Sequence, residues 1–270
     1  MKYYFIAVNY NGFEHSKNFI NNVILFKAEY DIRVIIVDNN SRSEDLSNLE
    51  TYIKGIDCIE LVSIKENLGY FGGLNEGLKR VERSDDVTVI IGNNDITFDA
   101  DFIKAYEMMS IHDSVFVIAP YVITKDGQLQ NPLVIEKVGR IEKFKNRIYF
   151  SNYYIGQLIK FLYRCMFRRT HKPKLNNLDV HRIMKIKRGI GAVYVLTPNF
   201  LKSIKLLDDR VFLWGEEVLF SKQVEESGGE IFYNPNMKVE HHESATVSLI
   251  DDRKKYEMVK RSYSIYRKHL

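Results

Sequence analysis

The chain has 270 residues, of which 45% are hydrophobic and 13% aromatic, with only 5 prolines and 15 glycines. This composition is typical of a globular protein with a substantial core, and it excludes extensive disorder. The length fits one large α/β domain, with or without a smaller appendage. The net charge of +4 at pH 7 is small, but it is unevenly distributed.

The cysteines and the apolar runs indicate the compartment. Cys58 and Cys165 are the only cysteines, and they show no metal-ligand spacing. The apolar run from Tyr3 to Val8 is too short for a signal peptide, and no run approaches the roughly 20 residues of a spanning helix. We therefore expect a cytoplasmic protein that spans no membrane.

One stretch carries the basic character of the chain. Residues 137–188 hold 15 Lys or Arg against only Glu142 and Asp179, a net charge of +13, so the other residues sum to −9. A concentrated charge of this kind predicts an anionic surface or ligand as partner.

Short apolar runs alternate with helical patterns in the first half of the chain, which predicts βαβ units and a largely parallel, doubly wound sheet. Ser43 and Asp99 are candidate N-caps of helices. The predicted strands are 3–9, 33–38, 58–64, 87–92 and 115–119, and the predicted helices are 15–29, 44–54, 71–83 and 99–110.

From about 136 to 188 the alternation gives way to Lys, Arg, Tyr and Phe in mixed order, which predicts an insertion. Regularity returns at 191–196, where Thr197 and Pro198 are typical of a helix start. Beyond this point the sequence predicts a helix at 216–226, strands at 230–233 and 237–240 separated by an Asn-Pro-Asn turn, and a closing helix at 251–268.

Polar residues follow four consecutive predicted strands. In open parallel sheets, ligands bind at the carboxyl ends of the strands, so this recurrence predicts a binding site. A single instance is explained equally well by turn chemistry, since Asn and Asp commonly close strands. The four segments are Asn9-Tyr10-Asn11-Gly12, Asp38-Asn39-Asn40-Ser41, Asn67-Leu68-Gly69 and Asn93-Asn94-Asp95.

Six motifs occur in order along the chain: Val8–Gly12, Val37–Ser41, Glu66–Asn75, Gly92–Asp95, Phe212–Glu217 and Val239–Ser244. Together they resemble the inverting family 2 glycosyltransferases, in particular the rhamnosyltransferase-like members that build bacterial surface polysaccharides. The resemblance covers residues 3 to about 124 and 187–270 and leaves only the basic stretch unmatched. It implies the GT-A fold, an α/β fold with a Rossmann-like, mixed, mainly parallel sheet flanked by helices.

The resemblance implies one continuous GT-A domain in three parts. These are a nucleotide-sugar-binding half at 1–135, a basic aromatic insertion at 136–188, and an acceptor-side half with a C-terminal helix at 187–270. The implied reaction is inverting transfer of a hexosyl or deoxyhexosyl residue from a UDP- or dTDP-sugar to a hydroxyl of a glycan acceptor, which we expect to be lipid-linked.

In this interpretation the first strand ends bind the donor. Asp38 can accept the imide N–H of uracil or thymine, and Asn9 and Tyr10 line the base and ribose; the alternative for Asp38 is a capping turn. Glycines beside a helix start let backbone N–H groups approach a phosphate, although close strand–helix packing explains them too. The donor-binding candidates are Asn9, Tyr10, Asn11, Asp38, Asn40, Asn67, Gly69, Gly72, Gly73, Asn75, Asn93 and Asn94.

Asn93-Asn94-Asp95 stands where the family usually has Asp-x-Asp, so one carboxylate must serve the metal. A hard cation, Mn²⁺ or Mg²⁺, can combine Asp95 with donor phosphate oxygens, water and a histidine. The family's motif points to His241 as that histidine, with His242 as second choice; an ordinary exposed histidine pair is the alternative. Because Asn93 and Asn94 carry no charge, metal affinity without nucleotide should be low.

Inversion requires a base, and Glu216 and Glu217 align with the family's acid pair. Adjacent helical residues are offset by about 100°, so only one faces the acceptor. We choose Glu217 as the base that takes the acceptor's proton. Two solvated glutamates favoured by the helix dipole are the alternative. Leu219 departs from the acid often found two residues after the pair, which weakens a detailed acceptor analogy.

The basic stretch admits three partners: an acidic or lipid-diphosphate acceptor, an anionic membrane surface, or nucleic acid. We favour peripheral contact with the inner face of the cell membrane, because aromatic residues such as Tyr154 and Phe161 interleave with the cations. A solvated or homodimer-forming helical pair is the alternative. No recognition motif supports nucleic acid. Alternatives for the whole chain are a catalytically weak nucleotide-sugar or glycan-binding module and a sugar nucleotidyltransferase.

Overall fold

The structure, a computed structural model, describes residues 1–134, 139–166, 180–243 and 251–270. Within these ranges the strands are β1 Lys2–Asn9, β2 Asp31–Asp38, β3 Ile59–Ser63, β4 Val87–Asn93, β5 Ile96–Phe98, β6 Val115–Thr124, β7 Met184–Ile186, β8 Val193–Leu196 and β9 Glu230–His241. The α-helices are α1 Phe13–Val23, α2 Ser43–Ile53, α3 Gly69–Leu78, α4 Phe102–Glu107, α5 Arg140–Tyr149, α6 Tyr153–Met166, α7 Pro198–Ser203, α8 Glu216–Glu226 and α9 Asp252–Tyr266. Short 3₁₀ helices, Ile24–Ala28 and Arg267–His269, follow α1 and α9.

The strands form one mixed sheet in the order β3-β2-β1-β4-β8-β6-β9-β5, with β7 also pairing with β9. Strands β1 to β4 run parallel. β8 is antiparallel to both β4 and β6, whereas β6 and β9 are parallel. The carboxyl ends of β1, β2 and β4 therefore lie together at one edge, as the strand-end residues predicted.

Helices cover both faces of the sheet, and alternate residues of β1 enter the two apolar layers. Ile6 packs in the layer with Phe71 of α3 and Phe220 of α8. Phe5 packs in the opposite layer with Phe19 of α1. Burial on both faces explains the nearly continuous apolar sequence of the parallel strands.

Most predicted elements of the first half are confirmed, and α8 has the predicted bounds 216–226. Thr197 caps α7, since its side chain accepts a hydrogen bond from the Phe200 N–H. Two other capping predictions are wrong. Ser43 is the first residue of α2, whose N-cap is Arg42, and Asp101 stands at the N-cap of α4 in place of Asp99.

The predicted pair of strands after α8 is one strand. The chain continues through Asn234-Pro235-Asn236 in β9, and the register against β6 shifts between Pro120 and Tyr121. The extra residues are accommodated as a bulge, which does not end the strand. Strands β5 and β7 were not predicted, because three residues are too few to show an alternation.

The described part of the basic insertion contains the helical hairpin α5–α6. It packs on α9 through aromatic contacts: the rings of Phe150 and Tyr263 stack at 4.5 Å, and the Tyr256 hydroxyl donates to the Tyr149 carbonyl at 2.9 Å. Residues 135–138 and 167–179 of this stretch, and Ser244 of the last motif, lie outside the described residues. Among the described helices, none is both long and apolar enough to cross a membrane.

Gly69 at the start of α3 allows close approach of another segment, which gives a first prediction. Its φ is +79°, and a Cβ there would overlap the Phe212 carbonyl and lie 2.9 Å from Phe212 Cα. Gly55 has a similar φ of +85° with nothing within 4 Å. Because left-handed backbone costs roughly 1–2 kcal/mol for a residue with a Cβ, Gly55→Ala should lower the free energy of unfolding by about that amount. Gly69→Ala should lower it by about 2 kcal/mol more, as measured by urea denaturation. Equal losses would contradict the steric argument.

Candidate active site

The ends of β1 and β2 are joined by a buried hydrogen-bond network. Asn9 and Asp38 have no exposed surface. The Asn9 amide nitrogen lies 2.9 Å from Asp38 Oδ1 and 2.8 Å from Asp45 Oδ2. The backbone N–H of Ser41 donates to Asp38 Oδ2 at 3.1 Å. Asn9 and Asp38 thus stabilise the strand ends. Their contacts with a nucleotide are still a prediction.

Two open clefts flank this network. One, of about 430 Å³, lies between the starts of α1 and α2 and is lined by residues that include Asn11 and Arg42. The other, of about 390 Å³, lies beyond β2 and β3 and is lined by residues that include Asp38 and Asn40. Tyr10, which precedes Asn11 in the chain, is 43% exposed. Asn11 and Asn40 therefore reach accessible space, whereas Asp38 lies in a cleft wall from a buried position.

The candidates in the Asn67–Asn75 motif make mainly structural contacts. Asn67 Oδ1 accepts hydrogen bonds from the Gly69 N–H and from the side chain of Asn39. Asn75 donates to the Leu207 carbonyl at 3.0 Å. Cβ atoms at Gly72 and Gly73 would lie 2.7 Å from Leu68 Cβ and 3.0 Å from Val8 Cγ2, respectively. Gly73 therefore allows α3 to pack closely on β1, whereas Gly72 leaves room for the side chain of Leu68 at the N-cap of the same helix.

Asp95 and His241 meet at the β5–β9 pair. Ile96 is the register partner of His241, so the antiparallel pairing brings residues far apart in sequence together. His241 Nε2 lies 3.4 Å from Asp95 Oδ1 and 3.2 Å from Asn93 Nδ2. Asp95 is 5% exposed and His241 9%. Asn93, Asp95 and His241 therefore form one polar cluster.

Gln130 orients the His241 ring. Its Oε1 lies 2.8 Å from His241 Nδ1, and Asn93 Nδ2 lies 3.2 Å from His241 Nε2, so the ring is held at both nitrogens. Such an outer hydrogen bond is the usual means of orienting a metal-binding histidine. One carboxylate and one imidazole nitrogen fit a divalent cation as a partial ligand set. Among the described residues, no three His, Cys, Asp or Glu form a metal-binding group.

The structure separates the other two candidates from this cluster. Asn94 points towards α1, and its amide nitrogen lies 2.8 Å from Ser16 Oγ. His242 Nε2 lies 2.8 Å from Thr97 Oγ1, and burial lowers the pKa of His242. Of the two histidines, only His241 has its ring beside the Asp95 carboxylate.

Glu216 and Glu217 begin α8 after Gly215, whose φ is +95°. Glu216 is 6% exposed, and its Oε2 has no hydrogen-bond partner among the described residues. Burial, followed by the charge of Glu217, raises the pKa of Glu216 to about 8. Burial also raises the pKa of the partly exposed Glu217, but the Gly191 N–H at 3.4 Å from its Oε1 opposes this shift.

Tyr70 connects the acid pair to the Asp95 cluster. Its hydroxyl donates to the Gly191 carbonyl at 2.8 Å. Its pKa is raised by burial and then by the charges of Glu216, Asp95 and Glu217. The charges of the glutamate pair and of Asp95 therefore act on the same phenol. The sequence did not predict a role for Tyr70 at this site.

Arg188 is a second site residue that the sequence analysis missed. It is 7% exposed, and its Nε has no hydrogen-bond partner among the described residues. Burial lowers its pKa, and the charge of Glu217 opposes that shift. Arg188 lies just before Gly189-Ile190-Gly191, a position that could have distinguished it in the sequence. It was not singled out because it is one of the 15 cations of the basic stretch.

The C-terminal helix closes one side of the acid pair. The Ser262 hydroxyl donates to the Leu213 carbonyl at 2.8 Å. The Tyr266 ring occupies the space where Gly215 would carry a Cβ. The Glu217 charge raises the pKa of Tyr266, after burial, to about 12. Helix α9 is thus part of the site wall.

The chain belongs to glycosyl transferase family 2, whose family model matches residues 5–172. Among curated proteins, none matches the chain. Solved structures show the same fold at low sequence identity, and that fold is GT-A.

The first similar structure is GalNAc-T7 with UDP, GalNAc and Mn²⁺, at 14% identity and a TM-score of 0.64, covering 98% of this chain and 48% of that one. The second is the Pyrobaculum calidifontis mannosyltransferase PcManGT with GDP-Man and Mn²⁺, at 15% identity and a TM-score of 0.55, covering 91% and 58%. A third is residues 1–349 of S. aureus TarS, at 14% identity and a TM-score of 0.52, covering 99% and 73%. The chain therefore spans about half the length of the first two.

The buried acid pair predicts a pH-dependent stability. The folded-state pKa of Glu216 is raised from 4.5 to about 8, so its contribution to stability is present below pH 4.5 and is lost as the pH rises through 8. Glu216→Gln should therefore flatten the fall in the free energy of unfolding between about pH 5 and pH 9. It should be more stable than wild type at the upper end by about 1–3 kcal/mol.

Urea denaturation across this pH range checks the prediction. Glu226→Gln, at the exposed end of the same helix, is the matched control and should keep the wild-type pH dependence. If the free energy of unfolding of Glu216→Gln changed with pH in parallel with that of wild type, ionisation of Glu216 would not destabilise the folded protein, and the prediction would be wrong.

Proposed function

We propose that the protein is an inverting, metal-dependent glycosyltransferase that moves a hexosyl or deoxyhexosyl residue from a UDP- or dTDP-sugar to a glycan hydroxyl in bacterial surface polysaccharide synthesis. The observation that carries the proposal is the 3.4 Å approach of His241 to Asp95 in a family 2 chain. The glutamate pair lies within electrostatic reach of the same cluster through Tyr70.

Donor binding is assigned to the edge where β1, β2 and β4 end. The GalNAc-T7 and PcManGT structures each hold a nucleotide and Mn²⁺. Asp95 and the Nε2 atom of His241 would hold Mn²⁺ or Mg²⁺ together with donor phosphate oxygens. When bound, the cation neutralises charge that develops on the departing diphosphate. The base and ribose would occupy the clefts beside Tyr10, Asn11, Asp38 and Asn40.

Glu217 is assigned as the base. A base must be ionised to accept the proton of the acceptor hydroxyl. Glu217 has the Gly191 N–H and the charge of Arg188 to favour its carboxylate, whereas Glu216 is buried without a described donor on Oε2. Glu216 therefore holds a proton near neutral pH, which removes one of two adjacent negative charges and leaves Glu217 for catalysis.

The acceptor is assigned to the side of the site formed by α8 and α9. We expect a lipid-linked glycan and an enzyme that binds peripherally to the inner face of the cell membrane. The support is the +13 charge of residues 137–188, whose described hairpin α5–α6 packs on α9. A homodimer through the same hairpin is the competing arrangement.

Two substitutions separate the proposed roles. Asp95→Ala should abolish transfer and weaken Mn²⁺-dependent binding of UDP or dTDP by roughly tenfold or more, because a charged ligand is lost. Glu217→Gln should lower kcat by about 10²-fold or more while nucleotide binding stays within a few-fold of wild type. Titration calorimetry and a transfer assay over a panel of nucleotide sugars measure the two effects.

Glu226→Gln is the control for both variants, since it lies away from the cluster on the same helix as Glu217. Equal loss of nucleotide binding in Asp95→Ala and Glu217→Gln would contradict the assigned roles. Nucleotide binding by wild type without transfer or donor hydrolysis would favour the binding-module alternative, which the uncharged Asn93 and Asn94 suggest.

The charge of Arg188 should lower the pKa of the proposed base Glu217, so replacing Arg188 should change the pH profile of the reaction. In Arg188→Gln the Glu217 carboxylate loses a nearby cation, its pKa rises, and the acidic limb of kcat/KM moves to higher pH. We expect roughly tenfold more loss of kcat/KM near about pH 6 than near about pH 9. Arg188→Lys keeps the charge and should restore much of the profile. Within the part of the chain that the structure describes, the charge of Glu217 also acts on Glu216, Tyr70, Tyr194 and Tyr266. A uniform loss at all pH values would indicate a structural role only.

A further inference from the structure

Helix α5 presents an apolar face that no described element covers. Ile141 is 73% exposed, Phe144 63% and Ile148 39%. Their spacing of three and four residues places them on one side of the helix. Large apolar side chains that are scattered singly on a surface need no explanation, but an aligned set does.

Helix α6 adds a second exposed row. Tyr154 is 72% exposed, Leu158 56% and Phe161 63%, again at helical spacing. The opposite side of α6 is the one that holds the hairpin to the protein. Gly156 packs against the Tyr256 ring of α9, and the rings of Tyr153 and Tyr256 meet at 5.2 Å. The exposed row therefore does not serve the packing of the hairpin.

Cations accompany the apolar rows. Lys145 and Arg147 are exposed on α5 beside its apolar row. Lys160 of α6 lies towards α9 instead, where its Nζ is 4.0 Å from Asp252 Oδ1. Glu142 is the single acidic residue of the hairpin from 139 to 166. An apolar row flanked by Lys and Arg matches a surface that offers both hydrocarbon and anionic groups.

We propose that Ile141, Phe144, Ile148, Tyr154, Leu158 and Phe161, here called the hairpin face, dock onto an anionic lipid bilayer. The apolar side chains enter the boundary between headgroups and acyl chains, while Lys145 and Arg147 meet lipid phosphates. A second copy of the chain fits less well, because it would bring cations of the same sign together.

The hairpin face bears on the acceptor side of the site, and this part of the inference rests on the proposed glycosyl transfer. Helix α9 contacts the hairpin through the stacked pair Phe150 and Tyr263, and it contacts the segment before the acid pair through Ser262 and Leu213. The hairpin that carries the face is therefore connected to the acid pair through α9, and under the proposed glycosyl transfer the bilayer would present a lipid-linked acceptor to this part of the protein.

Vesicle binding by the full chain tests the surface without any sugar donor. Wild type should co-sediment with phosphatidylcholine vesicles that contain phosphatidylserine, and much less with phosphatidylcholine alone. Phe144→Glu combined with Phe161→Glu should reduce the partition coefficient by roughly tenfold or more. Lys145→Glu combined with Arg147→Glu should reduce binding to the anionic vesicles most strongly at low salt.

The matched control is Leu25→Glu combined with Met108→Glu, since these residues are 71% and 79% exposed elsewhere on the protein. It should bind vesicles nearly as well as wild type, and far-UV circular dichroism should show that all variants fold. No binding by wild type, or equal losses in the control and in Phe144→Glu with Phe161→Glu, would overturn the proposal. So would a lipid-independent dimer that the hairpin substitutions dissociate, because it would assign the face to a second copy.

Transfer to a water-soluble acceptor separates this proposal from the proposed function. Phe144→Glu with Phe161→Glu should retain that transfer and lose transfer to a vesicle-borne acceptor. If wild type binds vesicles but transfers sugar to neither acceptor, the proposed glycosyl transfer is wrong, whereas the proposed membrane-binding surface is supported.

Discussion

Buried acidic side chains are unfavourable unless they are hydrogen-bonded, paired or protonated, and the carboxyl end of this sheet contains three of them. Asp38 is satisfied by Asn9 and the Ser41 N–H. Asp95 lies 3.4 Å from His241 Nε2, and under the proposed function a bound cation shared by the two side chains would balance its charge. Glu216 has its pKa raised by burial. The local structure depends on these three solutions, because each fixes the position of a strand end or a helix start.

The second solution requires the unusual course of β9. This strand continues through a bulge, so that its first half pairs with β7 and its second half with β5. Had the chain turned at Asn234-Pro235-Asn236, His241 would not stand opposite Ile96. The long strand is therefore what joins the last motif of the sequence to the tripeptide at 93–95.

The sequence was sufficient for the regular parts of the fold. Strands β1, β2 and β4 are apolar on both faces, and Thr197-Pro198 begins a helix by local chemistry alone. The hydrogen bonds between polar side chains of different elements could not be predicted in this way. That Asn9 turns to Asp38 and Asn94 to Ser16 depends on distances between elements, which no local pattern encodes. Arg188 was missed for a related reason, since its burial distinguishes it from neighbouring cations of the same type.

The contact between Gly215 and Tyr266 has a consequence for the order of synthesis. Glu216 and Glu217 leave the ribosome well before the residues of α9 that wall them in. Until Tyr266 has emerged, Gly215 and the acid pair face water, and the burial that keeps Glu216 protonated is incomplete. The differing proton affinities of the two glutamates are therefore acquired only when the last helix docks.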